Sequence, residues 1–259
     1  MSIRHRILAA AALLAACVTA ASAQQLVTSV SSHQVLINSS YTGDELVIFG
    51  SIEQGAGPPR QDADYDIVVT VTGPREDLVT RRKERVLGIW ANVDSRTFLQ
   101  VPSYLAILTT SPIDTIASRD TLRRYQIGLD NTILTQRVGF DIGDVVVDDP
   151  FRKAFLRVKT SQGLYLEEQG AVTFLSRHLF RADIPIPALV QLGAYQVNVK
   201  LFADGKLLTQ DNSMIDVRKV GFEQFVASAA REHGFLYGLA TALMALATGW
   251  FASIVFRRD

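Results

Sequence analysis

Cysteine is nearly absent from this sequence: a single residue, Cys17, in 259. It falls inside an apolar N-terminal stretch that reads as a leader. The chain beyond that leader therefore has no disulfide, no thiolate nucleophile and no cysteine-based metal site. An exported domain of this kind must be held by its apolar core alone, which about 210 residues can supply. Histidine is almost as scarce. Only His33, His178 and His233 follow the leader, too widely spaced for a zinc-binding His-x-x-x-His pair. Gly-x-Ser-x-Gly, the phosphate loop and the dinucleotide glycine pattern are all missing. No residue is therefore assigned as catalytic or as a metal ligand, and no cofactor is expected.

An excess of either charge is missing too. Lysine and arginine total 26, aspartate and glutamate 26, and the part between leader and tail holds 22 basic and 25 acidic residues. Nucleic-acid binders normally carry a strongly basic face, so that class is excluded. At 48% hydrophobic and 20% charged residues, with no low-complexity tract, the composition is that of a folded domain.

What is present lies first at the two ends. Arg4, His5 and Arg6 precede the apolar run Ile7 to Val18, and Ala21-Ser22-Ala23 supplies a small-x-small cleavage site. Together these predict a signal peptide over 1–23 and a mature start at Gln24. Leu14-Ala15-Ala16-Cys17 also resembles a lipobox, the competing reading, in which Cys17 would be lipidated. Near the other end, 235–256 is a run of 22 uncharged residues, about 33 Å of helix against a hydrocarbon core of about 30 Å. Tyr237 stands near one end of it; Trp250, Phe251 and Phe256 stand near the other. Arg257 and Arg258 follow directly, which places the 257–259 stub in the cytoplasm and the rest of the chain outside.

Between the ends, 24–220 reads as a mainly β domain, an immunoglobulin-like antiparallel sandwich with helices inserted around 111–163. Two small β domains are the alternative. Glu45 to Ile52 and Asp66 to Thr72 are the first clear strands, the second ending at Gly73-Pro74. Leu78 to Ala91, Thr97 to Val101 and Tyr104 to Thr109 continue as short extended pieces. Tyr195, Val197, Val199 and Leu201 alternate with Gln196, Asn198 and Lys200, the pattern of a half-buried strand with Lys200 toward solvent. Ala203-Asp204-Gly205-Lys206 then predicts a hairpin whose partner runs to about Lys219. Gly193-Ala194-Tyr195 resembles the corner tyrosine of immunoglobulin-like sandwiches.

Helix signals interrupt the strands. Asp149-Pro150 is a cap followed by proline at the first helical position, with Phe151, Ala154, Phe155 and Val158 on one face and Gly163 as the stop. Ser111-Pro112 starts a second helix through Ile113, Ile116 and Ala117. Over 221–234, Phe222, Phe225, Val226 and Ala229 mark an amphipathic helix before the span.

Four clusters are candidates for function. Asp62, Asp64 and Asp66 open like a calcium loop, but Ile67 and Gly73 stand where glycine and glutamate are required, so an acidic turn is the better reading. Asp141, Asp144, Asp148 and Asp149 read as a solvated loop around the helix cap. Arg81, Lys83 and Arg85 fall on one face of a strand and could receive an anion or lipid headgroups; a charged edge strand is the plainer reading. In the span, Gly238, Ala242, Ala245, Gly249 and Ala252 form a stripe of small residues that lets another helix approach closely.

Several stretches taken together resemble a family of alphaproteobacterial transmembrane proteins of unknown function. They are Tyr41-Thr42-Gly43, Ile48-Phe49-Gly50, Gly73-Pro74, Arg81-Arg82-Lys83, Gly88-Ile89-Trp90-Ala91-Asn92, Val101-Pro102-Ser103-Tyr104, Tyr237-Gly238 and Gly249-Trp250. The resemblance implies a periplasmic β-rich domain anchored in the bacterial inner membrane by its C-terminal helix. It brings no catalytic residues. It also implies an accessory role beside a small-anion permease resembling sulfite exporters, with self-association through the helix as another possibility. A standalone envelope domain that binds protein, and a hydrolase whose Asp and His residues meet only in space, are the competing expectations.

Overall fold

The computed structural model describes residues 25–38, 41–53, 64–138, 141–144, 148–221, 226 and 229–255. The leader and Cys17 lie outside the described residues, as do Asp62, Phe222, Phe225 and the terminal arginines. The chain begins with β1 (Gln25–Val30), β2 (Gln34–Ile37), β3 (Gly43–Glu53) and β4 (Tyr65–Thr72). A hairpin of β5 (Arg75–Val86) and β6 (Ile89–Pro102) follows, then β7 (Leu105–Thr109). Next come α1 (Ile113–Ile116), α2 (Arg119–Arg124), a 3-10 turn (Leu129–Asn131), β8 (Thr135–Val138), β9 (Asp141–Asp144) and α3 (Pro150–Ser161). The last elements are β10 (Tyr165–Gln169), β11 (Val172–Phe174), β12 (Leu179–Pro187), β13 (Gly193–Ala203), β14 (Lys206–Lys219) and α4 (Gly234–Val255).

Two sheets share one core. One runs β1-β3-β12-β11 and the other β10-β7-β4-β13-β14-β2. Followed along the chain, this is the immunoglobulin arrangement: strands A, B, E and D against a sheet built on C, F and G, with β7 beside C. The fold is mainly β, as the alternation predicts. It is not purely antiparallel, because β10 pairs parallel with β7 and β2 pairs parallel with β14. A parallel pair needs a long crossover, and the segment carrying α3 supplies it between β7 and β10.

The β13 alternation places side chains as expected. Tyr195, Val197, Val199 and Leu201 are all buried, and Val197, Val199 and Leu201 stand opposite Val71, Val69 and Ile67 of β4. They join Ile48 and Ile52 of β3 and Phe180 and Ile184 of β12 in the core. Asp204 and Gly205 turn the chain with φ of 51° and 73°, both left-handed as a type I′ hairpin requires, and β14 ends at Lys219.

Four further expectations change. Residues 78–91 are not one extended piece: they run up β5, turn at Leu87-Gly88 and start back down β6, so the segment is the far end of a long hairpin. The outer face of β13 is not open to solvent along its whole length. Lys200 is only 8% exposed and Phe202 is fully buried; Tyr125, at the end of α2, meets the Phe202 ring edge-on at 6.2 Å. Asp141 and Asp144 fall on β9, paired with β8, rather than in a loop. The inserted region accordingly holds two strands besides its helices.

The fourth change concerns α3. Asp149 caps it as predicted, accepting from the Phe151 and Arg152 amides at 2.8 and 2.9 Å, with Pro150 in the first turn. Its buried residues, however, are Phe151, Arg152, Phe155 and Lys159, whereas Val158 is 47% exposed. The helix is rotated toward two long cations because its neighbours present oxygen atoms there. Arg152 donates to the carbonyls of Leu129, Asp130 and Thr132 at 2.9–3.1 Å, and Lys159 meets Glu76 at 3.2 Å.

Candidate functional site

Arg81, Lys83 and Arg85 share a face, and the hairpin that carries them has two unlike halves. Its base is packed. Phe98 is fully buried with its ring 4.6 Å from that of Phe155, and the Arg96 guanidinium lies 4.7 Å over the Phe151 ring. From Arg81 to Val93 every residue is exposed. The free part is therefore a two-stranded arm about 20 Å long, taking six residues of β5 at about 3.4 Å each.

The two faces of the arm differ in charge. Arg81, Lys83 and Arg85 stand opposite Ser95, Asn92 and Trp90 in the register, so that face carries three cations and an indole. Among the described residues none of the three cations pairs with a carboxylate; Arg85 donates from Nε to the Gly88 carbonyl at 3.2 Å, which tightens the turn. On the other face Arg82 pairs with Glu84 at 3.0 Å, and Arg96 pairs with Asp94 at 2.7 Å. That face is neutral. At the tip, Leu87 is 99% exposed, Ile89 73% and Trp90 70%.

A groove of about 770 Å³ opens elsewhere, where β10 and the end of α3 approach the start of β3 and the end of β12. Asp44, Glu45, Glu167 and Glu168 line it together with Tyr165 and Ile186. Glu167 also accepts from the Leu129 amide at 2.8 Å, which ties the groove wall to the 3-10 turn. The groove brings no histidine to these carboxylates. His178 lies between β11 and β12, its carbonyl accepting from Ile52, and His233 stands at the start of α4. Among the described residues no group of three or more His, Cys, Asp or Glu is placed to hold a metal ion. Asp66 accepts from the Thr110 hydroxyl at 3.0 Å, a bond that fixes the end of β4. No sequence motif pointed to the groove, because its walls are contributed by segments more than 100 residues apart.

Burial marks three tyrosines around this end of the domain. It pushes the hydroxyls of Tyr104 and Tyr165 well above the ordinary phenol range and that of Tyr195 up to about 12. Each donates to a backbone carbonyl: Tyr104 to Pro185, Tyr165 to Pro102 and Tyr195 to Gln191. They are structural pins, held neutral by the dry sites they occupy.

Helix α4 packs against none of this. It is long and apolar enough to cross a membrane, and no residue in it is buried. Its threonine hydroxyls turn back on the helix itself: Thr241 donates to the Gly238 carbonyl at 2.9 Å and Thr248 to that of Met244 at 2.7 Å. In hydrocarbon, where no water is available, polar groups must find such internal partners. Gly238, Ala242, Ala245, Gly249 and Ala252 all lie on α4, exposed, within an arc of about 80° at 100° per residue. A sequence profile described as "Putative transmembrane protein (Alph_Pro_TM)" matches residues 25–258. The chain belongs to that family. The Alph_Pro_TM match runs across the sandwich, the arm and α4 together, so the three form one unit of descent. No curated protein and no solved structure matches the chain.

Proposed function

We propose that this Alph_Pro_TM chain works by binding rather than by catalysis. It is fixed in the inner membrane by α4, with its sandwich in the periplasm and the short stub after the span in the cytoplasm. There it serves as an accessory to a membrane partner, such as a small-anion permease of the sulfite-exporter kind. The observation that carries this reading is α4 itself. It is a span whose small residues form one continuous stripe while the domain before it covers none of them. In lipid there is no hydrophobic gain from joining two helices, so association depends on the close approach that glycine and alanine permit. Among the described residues, a Cβ added at Gly238 or Gly249 meets nothing within 4 Å, which leaves the stripe open to a neighbouring helix.

Two measurements test the proposal. Alkaline phosphatase, active only outside the cytoplasm, is fused after Glu232 and separately after Asp259. Activity in the first fusion and not in the second supports the orientation; the reverse overturns it. Gly249→Leu and Ala245→Leu keep the helix apolar but push a neighbouring backbone away, so both variants should insert normally yet lose co-purification with the partner. Leu243→Ala, on the opposite side, should retain it. A polyleucine span that preserves every interaction reduces α4 to a plain anchor.

A further inference from the structure

The free half of the β5–β6 hairpin is exposed throughout, and its surface is organised along its length as well as across it. Apolar side chains sit end-on at the turn, with Leu87, Ile89 and Trp90 among the most exposed large hydrophobics outside α4. Cations follow behind them along one face: Arg85, then Lys83, then Arg81, with no carboxylate opposite any of the three. Arg85 stands two residues behind Leu87, about 7 Å along the strand. That is close to the depth of a lipid headgroup layer, which takes about 5–7 Å on each side of the hydrocarbon core. An acidic protein surface would meet charge and apolar contact side by side. A bilayer meets them in sequence, headgroup charge first and hydrocarbon beneath, and an indole at the boundary between the two is what such an interface favours.

We propose that the tip of this arm docks on the anionic lipid surface of the bilayer in which α4 is embedded, with Leu87, Ile89 and Trp90 entering the interface, Arg85 held against lipid phosphates, and Lys83 and Arg81 behind it drawn by the negative surface potential. The choice of occupant rests on two observations. The face is cationic and indole-bearing while its reverse is neutral, which matches an anionic layer. The same chain also carries its own span, so a lipid surface is kept at high local concentration beside the domain. Docking gives the sandwich a second point of attachment and so sets its orientation over the membrane. The inference does not depend on any protein partner of α4.

The test uses the full chain carrying Trp250→Phe, which leaves Trp90 as its only tryptophan. The protein is reconstituted into vesicles of phosphatidylcholine alone, and into vesicles with a one-third share of phosphatidylglycerol. Docking predicts that Trp90 emission shifts to the blue and is quenched several-fold by brominated acyl chains in the anionic vesicles, and much less in the neutral ones. Leu87→Asp, and separately the combination Arg81→Gln, Lys83→Gln and Arg85→Gln, should each abolish that difference. All four positions are solvent-exposed, and unchanged circular dichroism confirms that the variants remain folded. Trp90 that stays open to an aqueous quencher in both lipids overturns the proposal. So does a blue shift that grows with protein density but not with phosphatidylglycerol, because that signals contact between copies of the chain.

Discussion

The Tyr195 hydroxyl donates a 2.7 Å hydrogen bond to the carbonyl of Gln191, four residues upstream. This is the geometry of a tyrosine corner, and it fixes the angle at which the chain enters β13. Gln191 continues the connection, its side-chain amide donating to Glu76 at the base of the hairpin arm. The other Glu76 oxygen accepts from Lys159 of α3 at 3.2 Å. One polar chain thus ties the sandwich, the arm and the crossover helix together.

Tyr195→Phe removes the corner bond but keeps the ring, and Gln191 is exposed enough for water to reach its carbonyl. The expected cost is about 1 kcal/mol, read as a lower denaturant midpoint of the detergent-solubilised chain. The effect depends on pH. Burial raises the native hydroxyl to about 12, so the unfolded chain ionises first. The contribution is complete below about pH 10, the ordinary tyrosine value, and declines as pH rises through the native value. Alkaline loss should therefore be shallower in Tyr195→Phe than in the parent chain. Equal slopes would mean that Tyr195 is not the group held neutral.

Lys159→Met should be more damaging. Lys159 is 7% exposed, lies about 6 Å over the rings of Phe155 and Tyr165, and neutralises a Glu76 that is itself largely covered. Removing one partner of such a pair strands the other, at a cost of about 3 kcal/mol. Combining Lys159→Met with Glu76→Gln should recover part of the loss. A double-mutant cycle with no coupling energy would show that the pair makes no contribution.

Lys200→Met should go the other way. Lys200 sits on the outer face of β13 beside Val68 and Gln210, and burial alone lowers its ammonium to about 8. The native state then gives up its proton before the unfolded chain does. The penalty is complete below about pH 8 and fades as pH rises toward about 10, where the unfolded lysine also turns neutral. Replacement by methionine should raise stability by about 1–2 kcal/mol at neutral pH, and the gain should shrink with increasing pH. A gain that does not change between about pH 7 and 10 would rule out desolvation of the charge as its cause.

Much of the local structure was legible in residue order. The inward set on β13, the Asp204-Gly205 turn, the Asp149 cap and the uncharged span each depend on contacts within a few residues, where periodicity and backbone preference decide. The family resemblance was legible as well, and the Alph_Pro_TM match extends over the whole described fold. The basic face of Arg81, Lys83 and Arg85 could be read from alternation alone, because a strand sends every second side chain the same way.

Alternation could not say that this strand would leave the domain. Phe98 is covered and Trp90 is not, although both belong to β6, and the difference is how far α3 reaches: Phe155 packs on Phe98, and Phe151 in the first turn reaches only to Arg96. The same holds for the cations. Helical periodicity put Val158 inward, yet Lys159 took the buried place because Glu76, 83 residues away, supplies its counter-charge. Lys200 alternates like a solvent-facing residue yet is buried, and its neighbour on the same face, Phe202, meets the ring of Tyr125, more than 70 positions earlier. The parallel pairings and the carboxylate-lined groove arise in the same way, from elements distant in sequence coming to rest against one another. Periodicity reports which side of an element is apolar. Which neighbour arrives there, and with what charge, is settled only when the sheets and helices pack.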